Sequence, residues 1–214
     1  MRFGVDEAGK GPVLGSMFAA AVACEPAALP DAIGDSKTIA PARREELAAE
    51  IRDVASVGVA EITVDRIDDP QTDMNTLTVA AQAAALDRIG PEGLAGTVDA
   101  GDVDADRFGR RVARGVEADC TVEAAHGADE TNPLVGAASI VAKVERDAHV
   151  ERLAATHRPS YETIGSGYPS DPNTRAFLAA YVADHDELPP CARTSWSTCD
   201  DVLAANEQSG LDEF

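Results

Sequence analysis

The segment Val5-Asp6-Glu7-Ala8 runs directly into Gly9-Lys10-Gly11-Pro12, and no other stretch restricts the folding of this chain as tightly. A short apolar strand, Arg2 to Val5, must deliver two adjacent carboxylates and then turn sharply. Neighbouring acids repel unless something positive lies between them, and glycines let the backbone approach a ligand closely. Together these features point to a divalent cation with a phosphate beside it, and so to phosphoryl chemistry.

The 214 residues, 44% hydrophobic and 26% charged, are enough for one full-sized core and give no reason to expect bulk disorder. No apolar run approaches membrane-spanning length, and the first residues carry Asp6 and Glu7 rather than a basic leader, so a cytoplasmic location is expected. Cys24, Cys120, Cys191 and Cys199 are too scattered for a zinc framework and read as reduced thiols. Spacing alone leaves a Cys191–Cys199 disulfide open.

A net charge of −20 and a pI near 4.4 conflict with a polyanionic partner. Work in molar salt resolves the conflict, because the Debye length there falls to about 3 Å. Abundant acids, many alanines and scarce lysine fit a halophilic host. The chain has three lysines, Lys10, Lys37 and Lys143, and each lies beside a segment that stands out on other grounds.

Residues 13–24 form an apolar run of strand length that would equally suit a buried helix. Pro41 opens a helix to Val54, residues 57–64 alternate like a strand, and residues 75–89 form an alanine-rich helix. A strand at 97–100, a helix at 107–116 and a strand at 121–125 follow. Asn132 and Pro133 give an N-cap and first-turn proline to a helix reaching about Ala155, beginning just after Asp129. A Gly/Pro/Ser-rich loop covers 158–172, and helices are expected at 174–184 and 200–208, with fraying from Glu207 to Phe214. The alternation predicts an α/β fold with a core over 1–172 and a helical extension over 173–214 packed on it.

In an open α/β sheet, ligands gather beyond the carboxyl ends of the strands, so Asp6, Glu7, Asp99 and Asp129 are candidates to converge there. Four carboxylates without a His or Cys cluster suit hard ions such as Mg²⁺ or Mn²⁺. Singly, each acid is more often a solvated surface group. Lys37 is a candidate phosphate contact, His126 a candidate accessory group near Asp129, and Lys143 either partners a buried acid or is solvated.

Asp6-Glu7-Ala8-Gly9-Lys10-Gly11-Pro12, Asp35-Ser36-Lys37, Val98-Asp99, Ala128-Asp129, Ala137-Ala138-Ser139-Ile140-Val141-Ala142-Lys143 and Gly165-Ser166-Gly167-Tyr168-Pro169 together resemble type 2 ribonuclease H, ribonuclease HII. Ser195-Trp196-Ser197-Thr198 is similar to the tail of archaeal members. The resemblance implies a ribonuclease H-like mixed sheet flanked by helices. It implies hydrolysis of RNA strands, or of single ribonucleotides embedded in duplex DNA, leaving 5′-phosphate and 3′-hydroxyl ends. Asp6, Glu7, Asp99 and Asp129 match the family's metal-binding quartet, which holds two Mn²⁺ or Mg²⁺ ions during catalysis. Gly9, Lys10, Gly11 and Tyr168 match the segments that read the 2′-hydroxyl. Lys10 departs from the arginine of many relatives, and an ammonium cannot grip phosphate bidentately. A monomer is expected, with a replication accessory protein as a further partner.

Two rivals stand beside this reading. A dinucleotide-binding oxidoreductase is suggested by Gly9-Lys10-Gly11 after a strand, although the third glycine of that fingerprint fails and the two acids would crowd a pyrophosphate. A non-catalytic module for hybrid duplexes would use the same groove without needing the acids. The acid excess makes its own prediction: the thermal unfolding midpoint should rise steadily as KCl increases from 0.1 M towards about 2 M. A midpoint highest at low ionic strength would remove the salt-adaptation argument.

Overall fold

The structure, a computed structural model, describes residues 1–33 and 39–211, the last three by their backbone only. The Asp35-Ser36-Lys37 segment lies outside the described residues, and with it the expectation for Lys37. The strands are β1 (Arg2–Ala8), β2 (Met17–Cys24), β3 (Ser56–Ile62), β4 (Ala95–Asp99) and β5 (Thr121–Ala125). The helices are α1 (Pro41–Val54), α2 (Val64–Ile67), α3 (Met74–Asp87), α4 (Ala105–Gly115), α5 (Ala128–Thr131), α6 (Pro133–His157), α7 (Pro172–His185) and α8 (Ser197–Leu211). The chain divides into two compact units, residues 1–10, 17–62 and 72–146 in one and 11–16, 63–71 and 147–214 in the other.

The first unit is built on a five-stranded sheet of order β3-β2-β1-β4-β5. β1, β2 and β3 form an antiparallel meander, whereas β4 and β5 run parallel to β1. This mixed α/β sheet is the fold that the resemblance implies. The apolar run at 13–24 is a strand from Met17, and every residue of β2 is buried. Alanines at 19, 20, 21 and 23 leave room for helices on both faces. Ala20, Val22 and Cys24 pack with Leu47 and Ile51 of α1 and with Leu134 to Ala142 of α6, while α3 covers the opposite face of β1, β2 and β3.

One glycine sets the distance between α6 and the sheet. A Cβ on Gly4 would lie 2.2 Å from the Leu134 carbonyl carbon and 2.3 Å from the Val135 nitrogen, both backbone atoms that cannot swing aside. The start of α6 is therefore seated directly on β1, two residues before Asp6. Asn132 caps it as expected, its Oδ1 accepting from the Leu134 amide at 3.0 Å.

Several boundaries differ from the sequence expectation for local reasons. Asp73 rather than a later residue caps α3, accepting from the Thr76 amide at 2.9 Å, so that helix starts at Met74. Val64 does not extend β3 but opens α2. Asp129 stands in its own turn of helix, α5, which follows Gly127 in a left-handed conformation, and α6 starts only at Pro133. α8 is longer than expected and runs to Leu211.

In the second unit Val13, Leu14, Ile164, Phe177, Leu178, Val182, Ala192 and Cys199 form the core between α7, α8 and the segment 11–16. All four cysteines are free thiols, which closes the question of a Cys191–Cys199 bond. Among the described residues no helix is long and apolar enough to cross a membrane.

Gly4→Ala should destabilise the protein by about 3 kcal/mol or more, because a backbone clash forces the α6 terminus off the sheet. Guanidinium denaturation at fixed high KCl measures it, and a loss below about 0.5 kcal/mol would show that α6 can shift freely.

Candidate active site

β1 and β4 are parallel neighbours, with Val5 opposite Val98. Asp6 and Asp99 each come directly after that pair, so both emerge at the carboxyl edge of the sheet. β5 lies beside β4 with Ala125 opposite Asp99, and after a two-residue turn the chain enters α5, which carries Asp129. The Asp99 Oδ1 atom accepts from the Ala128 amide at 2.7 Å, tying the start of α5 to the end of β4.

Asp6 and Glu7 are adjacent in a strand and therefore point to opposite faces of the sheet. Asp6 is 6% exposed, and its carboxyl is bonded to the Ser139 hydroxyl of α6 and, at 2.7 Å, to the Glu7 amide. Lys143 Nζ donates to Ser139 Oγ at 2.8 Å. Burial, then the charges of Glu7 and Asp99, push the Asp6 carboxyl well above the usual range, against the pull of its two hydrogen bonds. Glu7 meets α3 instead, where Gln82 Nε2 donates to its Oε2 at 2.6 Å and to the Asp99 carbonyl at 3.0 Å. Burial, aided by the Asp99 charge, raises Glu7 to about 7, although Gln82 and Lys10 act in the opposite sense. Lys10 Nζ is anchored near this carboxylate by the Gly101 carbonyl at 2.6 Å and Asn75 Oδ1 at 3.1 Å.

Asp6, Glu7 and Asp99 are thus brought to one sheet edge, with Asp129 on the turn joined to it. As the side chains stand, no three acidic, imidazole or thiol groups among the described residues converge closely enough to hold an ion. The donors nevertheless fit a hard divalent cation: they are all oxygens, two of them buried carboxyls disfavoured as anions without a counter-charge. The Gln82 Oε1 atom is also buried there without a hydrogen-bond partner.

Gly9 has φ +94° and is buried, a conformation that would strain any side chain. No helix follows it. Residues 9–16 lead into β2, and β2 is antiparallel to β1. The strand–turn–helix frame of a dinucleotide site is absent, which overturns the oxidoreductase alternative.

In the second unit Tyr168 is 44% exposed, and a Cβ on Gly11 would stand 3.8 Å from its Cε1 atom. The strap 11–16 is held on both sides. The Val13 and Leu14 amides donate to the Gly167 carbonyl at 2.8 and 3.2 Å, and Gly15 donates to the Cys191 carbonyl at 2.8 Å. Arg193 is fully buried and returns two bonds, from its amide to the Val13 carbonyl and from Nε to the Gly15 carbonyl, each at 2.8 Å. Trp196 Nε1 donates to the Gly11 carbonyl at 3.3 Å. Asp68 anchors the same corner by accepting four bonds from the amides and hydroxyls of Thr194 and Ser195.

His126 lies exposed in the turn after β5. Sequence reasoning missed Gln82, Ser139 and Arg193. Gln82 and Ser139 left a faint signal, as the polar members of the runs Val79 to Ala85 and Ala137 to Ala142. Arg193 left none beyond its proximity to the Ser-Trp segment.

The ribonuclease HII family model matches residues 3–199. The ribonuclease HII of Haloarcula marismortui, a halophilic archaeon, is 68% identical over the whole of both chains. Among solved structures, the PCNA:RNase HII complex from Archaeoglobus fulgidus contains a chain 37% identical, with TM-score 0.83 over 94% of this chain and 96% of that one. The ribonuclease H2 from Pyrococcus horikoshii OT3 is 34% identical, with TM-score 0.85 over 96% and 98%. Strand order, the carboxylates at the sheet edge and these likenesses agree: the chain belongs to the ribonuclease HII family, divalent-metal-dependent endonucleases that cut the RNA strand of RNA–DNA hybrids.

Proposed function

We propose that this chain hydrolyses the RNA strand of hybrids and also single ribonucleotides embedded in duplex DNA, leaving 5′-phosphate and 3′-hydroxyl ends. Asp6, Glu7, Asp99 and Asp129 would hold the metal, as Mg²⁺ or Mn²⁺ in a pair. The observation that carries this reading is the desolvation of Asp6 and Glu7 at the end of β1 beside Asp99, where burial and like charge disfavour both carboxylate anions until a cation balances them. Bound divalent ions supply Lewis-acid stabilisation of the leaving oxygen and a water activated for attack on phosphorus.

The remaining roles belong to the chain itself. Ser139, held by Lys143, orients Asp6, and Gln82 orients Glu7. Gln82 Oε1, buried without a hydrogen-bond partner among the described residues, would accept from a water beside the carboxylates. The backbone at Gly9 and Gly11, together with Tyr168, would read the 2′-hydroxyl, with the tyrosine ring stacking on the neighbouring sugar. Lys10 would act on phosphate only after leaving Gly101 and Asn75, so recognition at the turn rests on backbone groups rather than on its ammonium. The neighbour from Archaeoglobus fulgidus was solved with PCNA. A sliding clamp of that kind is the accessory partner we propose here.

A labelled DNA duplex with one ribonucleotide, incubated in high KCl with Mn²⁺ or Mg²⁺, should be cut beside the ribonucleotide. Asp99→Asn should lower the rate by about a thousandfold while leaving duplex affinity within a few-fold. Equal binding by both proteins without cleavage by either would favour the non-catalytic module.

The pH response follows from Glu7. A carboxyl raised from 4.5 to about 7 holds its proton more tightly folded than unfolded. Its favourable contribution is complete below the unfolded value and is lost as pH rises through the folded one. Metal-free wild type should therefore lose stability relative to Glu7→Gln between about pH 4.5 and 7 in denaturant titrations, and parallel curves would contradict the burial argument. Because a cation must displace the same proton, Mn²⁺ affinity measured by calorimetry should increase across that window.

A further inference from the structure

An acidic protein that acts on a nucleic acid needs somewhere for the phosphate backbone to lie. Four of the 18 basic residues, Arg107, Arg110, Arg111 and Arg114, stand in the 11-residue helix α4, which makes up about a twentieth of the chain. At about 100° per residue they fall within an arc of roughly 100°. Phe108, Gly109 and Val112, the buried residues of this helix, lie on the opposite side. The stripe therefore faces outward along the whole helix.

Basic residues on the outer face of a helix are ordinarily solvated or paired with acids of the same or a neighbouring helix. α1 shows that ordinary case, since Arg43 bridges Glu46 and Glu50, and Arg52 pairs with Glu145. α4 is different. Arg107 is paired with Asp102, and Arg111 donates to Thr76 Oγ1 at 2.9 Å, but the exposed Arg110 and Arg114 have no hydrogen bond or ion pair among the described residues. The acids on α4 and its cap are Asp104, whose side chain accepts from the Arg107 amide, and Asp106. Asp102 already neutralises Arg107, and Asp73 of the α3 cap interacts with Arg111, so the charge this face offers to a partner is that of Arg110 and Arg114.

Its position in the chain is suggestive as well. Only residues 100–104 separate Asp99 from α4, so the stripe starts beside the carboxylate edge and runs away from it. Arg107 to Arg114 covers about 10 Å, the axial rise of about three phosphates in one strand. Guanidinium rather than ammonium is the suitable group in concentrated salt. With screening over about 3 Å, only contacts made at hydrogen-bond distance survive, and a planar fork makes two of them.

We propose that the arginine face of α4 is a docking surface for the phosphate backbone of the duplex, with Arg110 and Arg114 as its direct contacts and Arg107 and Arg111 as the members first tied to protein. This rests on the function proposed above and adds the surface that holds substrate outside the hydrolytic centre.

The test compares wild type with Arg110→Ala/Arg114→Ala, both exposed helix positions where alanine is tolerated, and with Arg43→Ala/Arg52→Ala on α1 as the control. Affinity for a 20-base-pair RNA–DNA hybrid is measured by anisotropy in EDTA across a KCl series, and cleavage with Mn²⁺ at one KCl concentration. The α4 double variant should lower the slope of log K against log[KCl] by about 1.5 to 2 and raise KM roughly tenfold with kcat within about twofold. The α1 variant should leave the slope unchanged. An α4 slope equal to that of wild type, with wild-type binding and cleavage intact, overturns the docking surface and leaves the proposed function standing. Wild type that binds hybrid but does not cut it defeats the hydrolytic reading, while the slope still decides the surface. Absence of any wild-type binding defeats both.

Discussion

Crowding of like charge at the carboxyl end of two parallel strands is the constraint around which the first unit is arranged. Because Val5 sits opposite Val98, Asp6 and Asp99 cannot avoid each other, and Glu7 adds a third acid one residue on. Three acids at a solvated edge would be harmless. Here α6 and α3 close over the two faces of β1 and take water away from Asp6 and Glu7, which turns mild repulsion into strongly raised carboxyl pKa values. The surrounding polar groups then read as responses to that strain. Ser139 and Lys143 serve Asp6, while Gln82 and Lys10 serve Glu7, one pair on each face of the sheet. Gly4 belongs to the same arrangement, because only its missing Cβ lets α6 come near enough to bring Ser139 to Asp6.

The second unit meets a different requirement, that of fixing a short loop. Residues 11–16 have no helix and only a single antiparallel bridge, Leu14 with Ala192, to satisfy their backbone, and a buried loop with unpaired amides is costly. Gly167, Cys191, Arg193 and Trp196 supply the missing partners in turn. A lysine at 193 would lack the Nε–H that reaches the Gly15 carbonyl while its remaining nitrogens stay available for other acceptors. The outcome is that Gly11 and the segment carrying Tyr168 are tied into one corner, with the Tyr168 ring beside Gly11.

Legibility of the sequence followed the physical range of each signal. Helix α1 begins at Pro41 and ends at Val54 as read, because its signals are local, and β5 matched for the same reason. The placing of Asp6 and Glu7 beside a glycine turn was legible because adjacent carboxylates and glycines are informative at short range, and Asp99 does close a strand as read. β2 was ambiguous, since an unbroken apolar run reports burial but not period, and only its two antiparallel partners decide it. Gln82, Ser139 and Arg193 were illegible for the opposite reason: each is defined by a partner far along the chain, Glu7, Asp6 and Gly15 respectively, and nothing in the neighbouring sequence specifies that partner.

The same view of range explains how lysine and arginine are used in so acidic a chain. An ammonium is a compact centre with three donors that can point to acceptors arriving from different directions. Lys10 uses this geometry between Gly101 and Asn75, and Lys143 reaches back one turn of α6 to a hydroxyl that already faces Asp6. Lys10 is thus a side chain turned inward to the protein. Outward-facing positive charge is carried by arginine instead, whose fork retains its value when salt screens everything beyond contact distance. The acids covering the remaining surface then need not oppose a phosphate backbone, because in molar salt their field ends within one water layer of the carboxylate that makes it.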